Sequence, residues 1–235
     1  MTAFAPSFLL NALNRQFERA TPKTILRWAA ETYGDKLAIV TSLQPTGIVA
    51  LHMLTELRDE LDVFPHILTV DTGLLFPETY ALIDEVEARF GIEIKCVTPK
   101  QTVEQQNNSH GDSLWTSSPD ACCNLRKVVP LAQALDGYSA WVAGLRRDQP
   151  GRGGTPLLSF DKKHRKMKLS PFANWDEETL NVYIQMYELP VNPLHARGYP
   201  TIGCVTCTQP VTNGDSRAGR WVGHDKRECG IHVQA

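Results

Sequence analysis

The sequence predicts an α/β protein: an open, mostly parallel twisted sheet with helices on both faces, followed by a C-terminal functional tail. Three observations carry that reading. The short apolar runs Leu37–Val40, Ile67–Val70 and Ala140–Ala143 are continuous rather than alternating, as in strands buried on both faces. Between them lie stretches with the 3.6-residue periodicity of amphipathic helices. From residue 190 onwards the chain becomes rich in Gly, Pro and Asn and loses its apolar runs.

Taken in order, 8–19 and 22–33 read as helices, the second capped by Thr21 with Pro22 at its first position. After the first strand, Thr46–Arg58 reads as a helix with Ile48, Leu51, Leu54 and Leu57 on one face. The second strand ends at Asp71-Thr72-Gly73. Pro77–Phe90 is a helix closed by Gly91, and Ile92–Val97 a third strand. The polar stretch 105–118 reads as a long loop. A helix starting at Pro119 or Asp120 runs to Leu135, and the Ala140–Ala143 strand ends at Gly144. A hairpin is expected from Leu157–Ser159 and Lys166–Leu169, then a helix from Trp175 to Leu189 capped by Asn174 or Asp176. Residues 1–189 are expected to form a nucleotide-binding α/β unit and 190–235 a C-terminal segment, together one structural domain. Ligands of such sheets bind outside the carboxyl ends of the strands. The loops Thr41–Thr46, Asp71–Pro77 and Gly144–Arg152 can therefore face one cleft.

With 235 residues the chain has room for one α/β domain plus a tail, and 42% apolar with 21% charged residues is ordinary for a globular protein. A net charge of −2 supplies no basic field for nucleic acid. Basic residues crowd two stretches, from Arg146 to Lys168 and from Arg217 to Arg227. They are either solvated faces or the walls of a pocket for a small polyanion. No apolar run reaches membrane-spanning length, and the first twenty residues lack the cationic start of a secretory signal. A reducing cytoplasm is expected, where six cysteines are metal ligands or catalytic thiols before they are disulfides.

Cys122 and Cys123 are adjacent, and Cys204 and Cys207 form a CxxC. Together they can give four thiolates to one zinc ion or one iron–sulfur cluster, and adjacent cysteines make a poor zinc knuckle, which favours the cluster. Cys96 falls in a strand pattern without partners and is expected in the core. Cys229 stands alone near the end, with Lys226, Arg227 and His232 close by; cations favour the thiolate a nucleophile needs, while Glu228 opposes them. A mobile tail would let that thiol visit two places in turn.

Nearly the whole chain resembles the adenylyl-sulfate and phosphoadenylyl-sulfate reductases. The matching segments are Val70–Gly73 with Phe76–Tyr80, Cys122-Cys123 with Arg126-Lys127, Gly144–Gln149, and Leu169-Ser170-Pro171 with Trp175. Further matches are the stretch 189–211, Arg217-Ala218-Gly219-Arg220-Trp221 and Glu228-Cys229-Gly230-Ile231-His232. The resemblance implies an adenine-nucleotide α-hydrolase-like sheet and a four-iron, four-sulfur cluster on Cys122, Cys123, Cys204 and Cys207. It implies that Cys229 attacks the sulfonate sulfur of adenylyl sulfate, releasing AMP and leaving an S-sulfocysteine. Thioredoxin, or a glutaredoxin-like dithiol, would then release sulfite. Substrate contacts are expected from Ser42, Thr46, Asp71, Thr72, Gly73, Lys127, Arg146, Arg147, Arg217, Arg220 and His232, in a cytoplasmic homo-oligomer.

One departure is plain. Related pyrophosphatase-type synthetases carry SGGxDS after the first strand, whereas this chain has Ser42-Leu43-Gln44-Pro45-Thr46-Gly47 without the acid. ATP cleavage is therefore not expected, although backbone N–H groups at the helix start can still cradle a phosphate. The alternatives are a reductase of the 3′-phosphorylated nucleotide, one of dual specificity, or a nucleotide-binding iron–sulfur sensor without turnover.

Overall fold

The computed structural model describes residues 7–212 and 214–232. Its centre is a six-stranded sheet in the order β3-β2-β1-β4-β6-β5, where β1 is Leu37–Thr41, β2 His66–Val70, β3 Ile94–Val97, β4 Ala140–Ala143, β5 Leu158–Asp161 and β6 Lys166–Leu169. All pairs are parallel except β5 with β6, the expected hairpin. Side chains alternate across the sheet. Leu37, Ile39, Ile67 and Val142 face a large core shared with α1 (Ser7–Phe17), α2 (Pro22–Tyr33), α3 (Pro45–Thr55), α4 (Pro77–Phe90) and α9 (Glu177–Met186). Ala38, Leu68, Trp141 and Ala143 face a smaller one built with Leu131 and Leu135 of α8 (Val129–Leu135). Ile231 of the tail packs on this second face.

Helix ends follow the sequence chemistry. Thr21 caps α2, with Pro22 in its first turn, and Asp176 rather than Asn174 caps α9. Gly91 closes α4 in the left-handed conformation. Two expectations are corrected. The polar stretch 105–118 is not a loop: α5 (Val103–His110) opens with a capping box in which Thr102 Oγ1 accepts from Gln105 N and Thr102 N donates to Gln105 Oε1. A short helix, α6 (Leu114–Ser117), follows. Cys96 is not in the core, because β3 is an edge strand and its side chain lies on the exposed side.

The expected helix from Pro119 begins as α7 (Pro119–Cys123) and widens into a π-helical turn, Asn124–Val128, before α8. Such turns are rare and recur at functional sites. Here the turn presents Arg126 to the end of β2: Nε donates to Thr72 O at 2.6 Å and Nη1 to Gln106 Oε1 at 3.1 Å. Gly73, at φ +68°, leaves room for it, since a Cβ there would lie 3.2 Å from Arg126 Nη2.

The segment beyond residue 190 is stitched to the sheet. Cys204 forms an antiparallel bridge with Leu75, Asn192 Nδ2 donates to Thr79 Oγ1 at 3.1 Å, and Ile202 N donates to Gln44 Oε1 at 3.3 Å. Among the described residues no helix is long and apolar enough to cross a membrane.

Candidate active site

A cleft of about 630 Å³ opens beside the carboxyl ends of β4 and β6, within the size range of small-ligand sites. Its walls are the loop after β4, the β5–β6 hairpin and the tail. Four cations line it, Arg152, Lys168, Arg217 and Arg227, together with His232 and the acids Asp215 and Glu228. Asp215 Oδ2 lies 3.4 Å from Arg227 Nη1, and its other oxygen accepts from Arg217 N at 2.9 Å. Glu228 Oε1 lies 3.0 Å from Arg152 Nη2, and Oε2 lies 3.8 Å from Arg217 Nη2.

The tail is docked across this cleft. His232 stacks on Trp141 with ring centroids 5.6 Å apart and planes 6° from parallel. Its Nδ1 is 3.3 Å from Lys168 Nζ, and Lys163 Nζ donates to Gly230 O at 2.6 Å. Lys226 pairs with Asp120, and Arg217 Nε donates to Arg227 O at 3.0 Å. Burial, with the charges of Lys168 and Arg152, pushes the His232 imidazole well below its usual pKa, so it is neutral. Burial lowers Lys168 to about 8, while burial at Asp161 is overridden by the His164 hydrogen bonds, which hold that carboxyl at about 2.

Lys168 thus gives the cleft a pH dependence. As pH rises through about 8 it loses its proton, and one of the cations facing an anionic ligand disappears. A bound anion restores the proton, so binding takes up a proton above pH 8. We expect a phosphate-bearing anion, with inorganic phosphate as the probe, to bind several-fold more weakly at pH 9 than at pH 7, and Lys168→Met to flatten that difference, as titration calorimetry in two buffers of different ionisation enthalpy will read. An unchanged pH slope in the variant would remove Lys168 from this role.

Next to the cleft lie the cysteines. The thiols of Cys123, Cys204 and Cys207 are near enough to act electrostatically on Cys122, which burial first and these neighbours second push up to about 11. Burial likewise raises Cys123 and Cys207. Thr72 Oγ1 lies 3.3 Å from Cys204 Sγ. Burial disfavours the charge on Lys127, but its electrostatic interaction with the sulfurs of Cys204, Cys229 and Cys123 outweighs that and holds its ammonium above the usual value. Arg220 covers Gly203 so closely that a Cβ there would overlap its guanidinium, and it lies over the Trp221 ring at 4.5 Å. Burial and the charge of Arg217 lower it, and Cys204, Cys229 and Cys207 act in the opposite sense. Cys229 is half-buried, within electrostatic reach of Cys123, Lys127 and Arg220, and follows directly on the cleft residue Glu228.

The expected substrate contacts therefore divide. Arg217 and His232 line the cleft. Lys127 and Arg220 lie within electrostatic reach of both the grouped cysteines and Cys229. Thr46 is buried, accepting from Arg146 Nη1 at 3.0 Å, and Arg146 grips Asp148 through two 3.0 Å contacts. Ser42 is exposed, with Leu43 beside it turned into the core at φ 54°. Asp71 Oδ1 accepts from Gly73 N at 2.8 Å and Tyr80 Oη at 2.7 Å, while Thr72 and Gly73 serve Cys204 and Arg126. Arg147 is turned away: it holds Glu18 at 2.7 Å and 3.0 Å, Thr155 O at 2.8 Å and Asn174, tying α1 to the loop after β4. Arg152, Lys168 and Glu228 were not among the expected contacts. The strand pattern of Lys166–Leu169 held the signal for Lys168, since alternate residues of a hairpin point inward.

A mostly parallel sheet with a cation-lined cleft at its carboxyl edge, and a half-buried cysteine following directly on a cleft residue, defines an α/β protein suited to a small anionic ligand. Residues 36–210 match the phosphoadenosine phosphosulfate reductase domain. The adenosine 5′-phosphosulfate reductase of Salinibacter ruber is 45% identical over 227 residues, covering 95% of this chain and 88% of its own length. The phosphoadenosine 5′-phosphosulfate reductase of Gloeobacter violaceus is 42% identical over 229 residues, covering 95% and 93%. The crystal structure of phosphoadenylyl-sulfate reductase from Candida auris, as a phosphate complex, superposes with a TM-score of 0.79 at 29% identity, covering 89% of this chain and all of that one. The chain belongs to the phosphoadenosine phosphosulfate reductase family, and it is an oxidoreductase acting on a sulfur group. That membership sets aside a sensor without turnover.

Proposed function

We propose that the chain reduces adenylyl sulfate to sulfite and AMP in sulfate assimilation in the cytoplasm, with thioredoxin or a glutaredoxin-like dithiol as reductant. The observation that carries this reading is the place of Cys229, at the join between a cation-lined cleft and the four grouped cysteines. Residues 1–189 supply the nucleotide-binding sheet and the first cysteine pair, and 190–235 supply the CxxC and the nucleophile.

The thiolate of Cys229 attacks the sulfonate sulfur, a new S–S bond forms, and the sulfur–oxygen bond to AMP breaks with its electron pair leaving on the phosphate. Charge on the phosphosulfate oxygens is met by Arg152, Arg217 and Lys168 on the cleft side and by Lys127 and Arg220 on the cysteine side. A thiolate of the dithiol next attacks Cys229 Sγ, sulfite departs, and the second thiol resolves the mixed disulfide, so that two electrons come from the dithiol. Among the described residues no group of three or more His, Cys, Asp or Glu is arranged to hold a single metal ion. The donor set of Cys122, Cys123, Cys204 and Cys207, all thiols, the first three buried and Cys207 partly exposed, suits an iron–sulfur cluster. Held by those four cysteines, a cluster would supply a polarisable charge centre to the site.

Adenylyl sulfate is expected to be preferred over its 3′-phosphorylated form. The first six curated relatives are named adenosine 5′-phosphosulfate reductases, and an extra dianion without a dedicated partner is costly to bury. Sulfite release from each nucleotide with one thioredoxin should give a kcat/KM ratio of about tenfold or more in favour of adenylyl sulfate. A reversed ratio would assign Lys168 and the hairpin to the 3′-phosphate.

A further inference from the structure

We infer that Glu228 is an internal counter-ion of the cleft, a positioning residue that occupies Arg152 and Arg217 until an anionic substrate group takes its place. The inference rests on the cleft being the sulfonucleotide site. The two acids in the cleft are not equivalent. Asp215 is built into its turn, accepting from Arg217 N at 2.9 Å while facing the exposed Arg227. Among the described residues Glu228 has no backbone partner, and its carboxylate reaches guanidinium groups alone, Arg152 at 3.0 Å and Arg217 at 3.8 Å. Those are the groups that a phosphosulfate needs, because a planar fork receives two anionic oxygens at once. A cleft with both arginines unpaired would hold two partly desolvated charges in mutual repulsion, which an internal carboxylate relieves.

The position in the chain gives the exchange a consequence. Cys229 is the next residue, and the one after it, Gly230, is anchored through its carbonyl to Lys163 at 2.6 Å. Gly230 sits at φ +92°, a conformation that glycine adopts freely. His232 is anchored further on by its stack on Trp141. Displacing Glu228 therefore moves one end of a short segment whose other end is pinned, and Cys229 lies between the two. Anion binding and release of the nucleophile's segment become one event, so the thiol is freed when there is an anion in place to attack.

The test is equilibrium binding of two probes, AMP and uncharged adenosine, to cluster-loaded wild type, Glu228→Gln and Glu228→Asp. Glutamine keeps the shape and removes the competing charge. AMP should bind Glu228→Gln roughly three- to tenfold more tightly than wild type, the scale of removing one partly screened charge. Adenosine affinity should not change, and Glu228→Asp, which keeps the charge in the cleft, should return AMP affinity towards wild type. A variant that had merely lost structure would weaken both probes. Equal AMP affinity in wild type and Glu228→Gln overturns the counter-ion role while leaving the nucleotide site intact. Failure of AMP to bind wild type at all overturns the nucleotide reading and this inference with it.

Discussion

Replacing Cys229 with serine is expected to lower sulfite production by about three orders of magnitude or more, with nucleotide binding and bound iron retained. The magnitude follows from the chemistry: a serine hydroxyl at neutral pH is almost wholly protonated and is a far weaker nucleophile towards sulfur than a thiolate. The location of the residue makes retention of the rest expected. Among the described residues the contacts that dock the tail run through Lys226, Glu228, Gly230 and His232 rather than through Cys229. Incubating the wild-type protein with sulfur-labelled adenylyl sulfate in the absence of dithiol should leave label on the peptide that contains Cys229. Label on the exposed Cys96, or normal turnover by the serine variant, would contradict the assignment of the nucleophile.

The second large effect is expected from Cys204→Ser. Anaerobically prepared wild-type protein should contain about four irons and four sulfides per chain and absorb near 400 nm, and the variant should lose both features along with activity. Cys204 is the member of the set most strongly tied to the sheet. It bridges Leu75 after β2, lies against Thr72, and its carbonyl accepts from Thr208 Oγ1 at 2.9 Å. The serine variant keeps these backbone contacts, so a loss of iron would report on ligation rather than on folding. Its thermal unfolding should move down as well, because metal binding to the native state is coupled to folding. Stoichiometric zinc without sulfide, in a wild-type preparation that is still active, would replace the cluster with a zinc site.

Much of this was legible in the amino-acid order. Continuous apolar runs gave three of the six strands their places within a few residues, and capping chemistry at Thr21, Asp176 and Gly91 marked helix ends, because these depend on local backbone sterics and side-chain oxygens. The hairpin was readable for the same reason. Helix α5 was missed because its residues are nearly all polar and supply no apolar period, although Thr102 and Gln105 carried the spacing of a capping box. Cys96 was misplaced because a strand pattern alone does not tell an edge from a centre; that depends on which strands pair.

By itself the sequence determined the chemical inventory: a cysteine pair, a CxxC, a lone near-terminal cysteine and two basic stretches, on a parallel α/β frame. Those follow from residue identity and short-range spacing. The tertiary structure decided which cations serve which anion. Arg146 and Arg147 are neighbours in sequence, yet one is gripped by Asp148 and Thr46 while the other reaches Glu18, just after α1. Arg152, Lys168 and Arg217 lie far apart in the chain and meet in one cleft, with Glu228 between two of them. The reason is that charge–charge energy depends on distance and on the water excluded between groups, and both are set by how sheet, hairpin and tail pack together.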